Sequence, residues 1–491
     1  MDQKDSVEIY QKVDLTNDVT NVNEAALKRE RKLRTKIDLC VVPTVTLLYL
    51  MCFVDRSNIG NARLAGFEKD LGLKGYDYNT VLSIFYISYI LFEIPATLCC
   101  KLIGPGWFLP LTTLGFGAMS VATAFVHTRA QACAVRFLLG IFEAGVMPGC
   151  AYYLSRWYKR SELTFRLGLW MTMAPLSGAF GGLMASGILK LKSFGSLHGW
   201  QMIFAIEGII TIGLSLVALI TLTDRPETAR WMTEEEKEIA VNRVKSERLN
   251  QAMLLDKIDM TKLKRGFSNP ITLATSFIFM LNNITVLGIS FFLPTIIRSI
   301  YPGRTTVQVQ LLTVPPYILG AASTVLITTL SWRLNSRQTL IALTGPLVVV
   351  GYAIFLATMN PNIRYAAVFL SASTTFSLGA MTNAQVSANV LSDSARSVAI
   401  GTNAMFGYIG GLIATWTYLP SDSPRYFIGN GINLGCAATW TIVAVGAGIW
   451  MKYDNKKRDE REAGAHEEVA GLTQKEIQDL EWKHPEWRWK A

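Results

Sequence analysis

A chain of 491 residues that is 50% hydrophobic and only 17% charged is too apolar for an ordinary soluble enzyme. Apolar runs of about 20 residues recur along it, each long enough to cross a hydrocarbon core of roughly 30 Å. The net charge of +10 therefore reads as membrane topology and not as a nucleic-acid footprint. All seven cysteines (Cys40, Cys52, Cys99, Cys100, Cys133, Cys150 and Cys436) lie within or at the ends of apolar runs. They form no CxxC pair and no Cys/His cluster at metal spacing, so no disulfide framework, zinc site or other cofactor is expected.

Residues 1–36 form a polar N-terminal tail whose first 27 residues read as disordered. Its start, MDQKDSVEIY, is polar and acidic, so no cleavable signal peptide is expected. The basic run Lys28, Arg29, Arg31, Lys32, Arg34 and Lys36 stands directly before the first apolar run and favours a cytosolic N-terminus. Six spans are predicted near 39–64, 80–101, 107–126, 130–155, 166–189 and 200–222, making an N-terminal half over 37–222. A charged segment, 223–270, follows as a cytosolic central loop, and Thr233 three residues before Glu236 predicts a capping box opening a polar helix.

Six more spans are predicted near 271–294, 307–331, 338–359, 365–388, 397–419 and 432–451, a C-terminal half over 271–452. The sequon Asn283-Ile284-Thr285 falls inside span seven, where no glycosyltransferase reaches. Pro315-Pro316 predicts a bend in span eight. The tail, 453–491, is polar and cytosolic, with a second cap at Thr473–Glu476. Its Trp482, Trp487 and Trp489 are expected to rest against protein or lipid headgroups.

These spans describe an all-α membrane protein of twelve transmembrane helices in two six-helix halves. That is the layout of the major facilitator fold, whose halves enclose a central site and rock around it. Twelve-span amino-acid permeases are the rival, but they usually carry a glycine-interrupted first span, and none interrupts this one before Asp55. Glycines gather instead in spans five (Gly168, Gly178, Gly181, Gly182, Gly187) and eleven (Gly401, Gly407, Gly410, Gly411), where small residues allow close helix approach.

An ionisable group costs at least roughly 2.5–3.5 kcal/mol at the bilayer centre, so it should face a cavity or a partner. Such groups concentrate in the first half: Asp55 and Arg56 in span one, Glu93 in span two, Arg136 and Glu143 in span four, and Glu207 in span six. The second half offers amides, among them Asn282, Asn283, Asn383, Gln385, Asn389 and Asn403. Arg136 and Glu143 share one helix face about 10.5 Å apart along the axis, too far to pair with each other. If span one continues to about Ala65, Asp55 and Arg56 lie roughly 14–15 Å below its end, between Arg136 at about 9 Å and Glu143 at about 20 Å. Two acids and two bases then interleave around one cavity, with cations for an anion and carboxylates for protons. The competing reading is a set of packing ion pairs, and it weighs most for Glu93 and Glu207, which have no cation in their own spans. Tyr49 lies on the face of Arg56 and Tyr89 on the face of Glu93, each either packing or ligand contact. His127 and His198 are expected at the surface.

DRSNIGNARLAGFEKDLGL, YILFEIPATL and RFLLGIFEAGVMPGCAYYLSRWYKRSELTFRLG together resemble the fungal allantoate-permease branch of the anion:cation symporters, within the major facilitator superfamily. IFAIEGII, RPETARWMTEEEK, GPLVVVGYAI and PRYFIGNGINLG extend the resemblance from about residue 28 to the tail. It implies Asp55 and Glu143 as proton acceptors, Arg56 and Arg136 as anion clamps, and Tyr89 near the substrate. The chain departs from the family pattern at CCKLIGPGWF, which lacks the Asp and both arginines of the usual loop between spans two and three. Span seven also lacks the arginine of vertebrate glutamate carriers, so a monocarboxylate fits better than a dicarboxylate.

The expected function is proton-coupled symport of a small organic anion, such as a vitamin, ureido acid or related nutrient, by a multi-pass plasma-membrane protein with both termini cytosolic. The candidate substrate contacts are Arg56, Arg136, Tyr89, Tyr49, Asn282 and Asn383; the candidate proton carriers are Asp55, Glu143 and Glu93. The expected partners are the anion, protons and the lipid bilayer, with no nucleic acid and a monomeric chain. Export of an acidic secondary metabolite and a non-transporting nutrient sensor are the alternatives. No nucleophile–base pair, phosphate loop or metal cluster argues for an enzyme.

Overall fold

The computed structural model describes residues 3–158, 162, 166, 170–193, 195–249, 260–334, 336–461 and 480–490. In hydrocarbon a backbone must bond to itself, and the apolar runs do so as helices. Nine helices among the described residues are long and apolar enough to cross a bilayer. Pro105–Thr123, the shorter Met173–Ile188 and the pair Pro361–Thr375 and Leu378–Ala388 supply spans three, five and ten. Twelve spans result among the described residues. Spans four and ten are each interrupted at a corresponding place: Arg129–Glu143 gives way to Val146–Trp157, and Pro361–Thr375 to Leu378–Ala388.

Span one is one helix, Gln3–Leu64, and carries Asp55 and Arg56 well before its end. The expected disorder of residues 1–27 is corrected from Gln3 onward, where the backbone is helical. A stretch such as EAALKRERK is rich in helix formers, and propagating an existing helix avoids the cost of a new nucleus. The capping box forms as expected: Thr233 N–H donates to Glu236 Oε2 at 3.0 Å and Glu236 N–H to Thr233 Oγ1 at 3.3 Å. The Thr473–Glu476 cap lies outside the described residues. His127 and His198 are exposed.

Within the first half, span three packs on six and span two on four; in the second, seven packs on eleven and nine on twelve. The halves meet through spans one with seven, five with eight, and two with eleven. We call the end where spans one and seven begin the near end, and the end where they finish the far end. Bonds between the halves gather toward the far end: Asn79 Nδ2 donates to Thr415 O at 2.6 Å, and Trp416 Nε1 to Ser83 Oγ at 2.8 Å. Beside them Arg63 lies over the rings of Tyr78 (4.2 Å) and Phe292 (5.8 Å). Gly60 lets span one touch span seven there, since a Cβ would sit 2.5 Å from Phe291 O. Gly60→Val should therefore prop the far end open. Thiol labelling of a cysteine placed at Ser83 should speed up in the variant, and unchanged labelling would show that this contact does not seal the halves.

At the near end the first half is laced by ion pairs. Arg166 grips both oxygens of Asp38 at 2.6 Å, and Arg156 reaches both oxygens of Asp224 at 3.0 and 3.1 Å. Asp224 also accepts from Gly106 N–H at 3.3 Å, at the start of span three. An acid from the end of span six thus occupies the loop whose own Asp and arginines are missing. Lys36 donates to Glu236 at 2.6 Å, and this bond holds the Glu236 carboxyl below its ordinary range. A depressed carboxyl stabilises the fold above its unfolded pKa and loses that contribution as pH falls through its folded value. Lys36→Met should lower Tm slightly at neutral pH, by what a surface pair of about 0–1 kcal/mol allows. The difference from wild type should shrink as the buffer is acidified, and a constant difference would refute the pairing.

The second half has a strap at the same end. Trp489 packs against Trp450, Trp482 and Trp487, beside Ile271 and Met451, and Trp482 Nε1 donates to Arg265 O at 3.1 Å. Glu481 accepts from Leu391 and Ser392 N–H at 3.1 and 3.2 Å, at the opening of span eleven. The tail tryptophans therefore rest on protein.

Candidate functional site

Asp55 and Arg56 follow each other on span one, so a helix step of about 100° points them at different neighbours. Arg56 Nε donates to Glu143 Oε2 at 2.6 Å, and both groups are buried. Cys52, one turn earlier, donates its thiol to the same carboxylate oxygen at 3.2 Å. The guanidinium of Arg56 is walled by the rings of Tyr89, Phe53 and Phe85 at 4.8, 5.0 and 5.3 Å. Such faces stabilise a desolvated cation.

Asp55 turns the other way. It accepts from the Ser120 hydroxyl of span three at 2.9 Å, and Arg136 is the cation that acts on it most strongly. It also comes within hydrogen-bonding reach of the Glu143 carboxyl, and apart from that contact Asp55 Oδ2 and Glu143 Oε1 have no partner among the described residues. Arg136 is 3% exposed, stacks over Phe204 at 5.4 Å, and has no acceptor for Nε or Nη2 among the described residues. Glu207 of span six joins the cluster, accepting from the Asn58 amide, whose own oxygen accepts from Asn61 at 3.1 Å. Sequence spacing left Glu207 with the packing pairs; the packing of span six on spans one and three brings it among Asp55, Arg136 and Glu143.

The two tyrosines also fall near Arg56. Tyr89 stacks with Tyr408 of span eleven, hydroxyl to hydroxyl at 3.1 Å, and Tyr408 donates to Met147 Sδ at 3.3 Å. Tyr408 thus brings a second-half residue against the ring wall of Arg56, and it lies beside Glu93. Tyr49 packs on Trp170 at 4.0 Å and Phe53 at 4.8 Å, one layer behind Arg56. Asn282 is buried in span seven with no donor to its Oδ1 among the described residues. Asn383 is engaged by Gly379 O at 2.9 Å and by Asn403 at 3.1 Å. Neither hydrogen-bonds to the charged cluster among the described residues. Ser120, Asn58, Cys52 and Tyr408 were not singled out as site residues in the sequence. Only Asn58 and Cys52 left a signal there, standing three or four residues from Asp55 and Arg56 on the same helix.

A family model for the Major Facilitator Superfamily matches residues 45–415. An uncharacterized transporter of Schizosaccharomyces pombe is 33% identical over 433 residues, covering 88% of this chain and 89% of the relative. The high-affinity nicotinic acid transporter of Saccharomyces cerevisiae is 31% identical over 443 residues, covering 90% and 82%. Among solved structures, a bacterial homologue of the human lysosomal transporter Spinster superimposes with a TM-score of 0.63 at 14% identity, over 82% of this chain and 95% of that one.

Proposed function

The chain belongs to the Major Facilitator Superfamily and is a multi-pass membrane transporter, and from that premise we propose that it carries a small organic monocarboxylate together with protons. We assign it to the allantoate-permease-like branch of the anion:cation symporters, in the plasma membrane with both termini cytosolic. One observation carries the anion: Arg136 is a buried guanidinium whose Nε and Nη2 meet no acceptor among the described residues. A buried donor without a partner costs about 1–3 kcal/mol, more when charged, and a substrate carboxylate would remove that cost. The similarity to a nicotinic acid transporter supports an aromatic or heterocyclic acid, as do the rings around Arg56.

In this reading a proton arriving on Glu143 ends its hold on Arg56. The freed guanidinium and Arg136 then take the substrate carboxylate, with a second proton site at Asp55. Neutralising the site lets the halves rock between far-end and near-end closure. Loss of the protons on the other side restores the Arg56–Glu143 pair and expels the anion. Purified protein in liposomes, offered labelled nicotinate and a panel of carboxylic acids at two pH values with and without a protonophore, tests this. Uptake that rises with an inward proton gradient is expected; a substrate without an anionic group would refute the reading.

A further inference from the structure

Three carboxyls, Asp55, Glu143 and Glu207, share one buried cluster with two guanidiniums, Arg56 and Arg136. Fully ionised, they leave an uncompensated negative charge, which a low-dielectric interior strongly disfavours. One carboxyl must therefore keep a proton in the substrate-free protein. Glu143 accepts directly from the Arg56 guanidinium at 2.6 Å, and Asp55 accepts from the Ser120 hydroxyl at 2.9 Å with Arg136 the cation that acts on it most strongly. Glu207 receives only a neutral amide, from Asn58, and its Oε1 meets no donor among the described residues. The charged groups facing it are Asp55 of span one and Arg136 and Glu143 of span four, and Asp55 acts on it most strongly. Spans three (105–123) and five (173–188), packed alongside, contain no titratable side chain.

We propose that Glu207 is the neutral, protonated carboxylic acid of this cluster, a positioning residue that keeps its proton while Asp55 and Glu143 exchange theirs. This rests on the proton-coupled reading for the cycle, but not for the resting state. As a neutral acid Glu207 leaves two exchanging carboxylates against two arginines. Its carbonyl orders Asn58, and Asn58 orders Asn61, whose backbone oxygen accepts from Gln310 of span eight at 3.5 Å. The acid is thereby tied to the contact between the halves.

Infrared difference spectroscopy of the purified, substrate-free protein at pH 7 reads the proton directly. A protonated-carboxyl carbonyl band should be present, should vanish in Glu207→Gln, and should shift in frequency in Asn58→Ala as its hydrogen bond is lost. A band that survives Glu207→Gln and disappears instead in Asp55→Asn or Glu143→Gln would overturn the assignment, as would a band unmoved in Asn58→Ala. In liposomes, Glu207→Ala should lose about tenfold in uptake rate, the cost of a buried hydrogen bond, and Glu207→Gln should restore most of it. The restored variant should keep the wild-type pH profile and proton-to-substrate ratio. Loss of gradient-driven accumulation in Glu207→Gln with exchange intact would show that Glu207 cycles. If no anion is carried at all, the infrared band still decides the proton's place.

Discussion

Arg56→Ala is expected to abolish uptake, lowering the initial rate by about 10²–10⁴-fold, the equivalent of the 3–5 kcal/mol lost when a buried ion pair is broken. The variant removes the donor to Glu143 at 2.6 Å and empties a cage of three aromatic rings. It also leaves one guanidinium, Arg136, to hold a substrate. Arg56→Lys should recover little, because an ammonium cannot reproduce the flat stacking on Tyr89 or the directed bond from Nε. The measurement is uptake into liposomes normalised to reconstituted protein, with size-exclusion profiles to show that the variant folds. Normal transport by Arg56→Ala would remove Arg56 from the clamp.

Glu143→Gln should separate exchange from accumulation. The amide is neutral, as the protonated acid is, so Arg56 remains free for substrate and counterflow exchange continues. No proton can leave position 143, so accumulation driven by an inward proton gradient should fall to the level of passive equilibration. The effect is expected to be complete, since the amide mimics one protonation state only. Cys52 should not substitute for the lost carboxylate, because its thiol is there as a donor. Retained, protonophore-sensitive accumulation would place coupling elsewhere, with Asp55 next in line.

Much of the cluster was legible before any coordinates. Helix rise alone places Asp55 and Arg56 at a depth between Arg136 and Glu143, and the fold does interleave them, Arg56 on Glu143 and Asp55 facing Arg136. Tyr89 was legible on the same grounds, one turn before Glu93 on span two. Glu207 was not, because depth along a helix says nothing about which helices are neighbours. What the second-half amides touch was not legible either: Asn383 is engaged by its own helix and by Asn403, while Asn282 Oδ1 is buried with no donor among the described residues. Tyr408 was one aromatic among many in an apolar span until it met Tyr89 across the halves at 3.1 Å.

The sequence by itself determined twelve spans, their division into halves, the capping box at Thr233 and the depth of four charges, because each follows from local chain length, composition and helix pitch. The tertiary structure decided which spans touch, and so which acid answers which arginine. It joined Asp224 to the loop that lacks its own acid, folded the tail tryptophans under the second half, and closed the far end over Gly60. It also brought a third carboxyl beside two acids and two arginines, so that the charges of the cluster no longer balance unless one carboxyl holds a proton. Periodicity is a property of one helix, and charge balance is a property of several helices packed together.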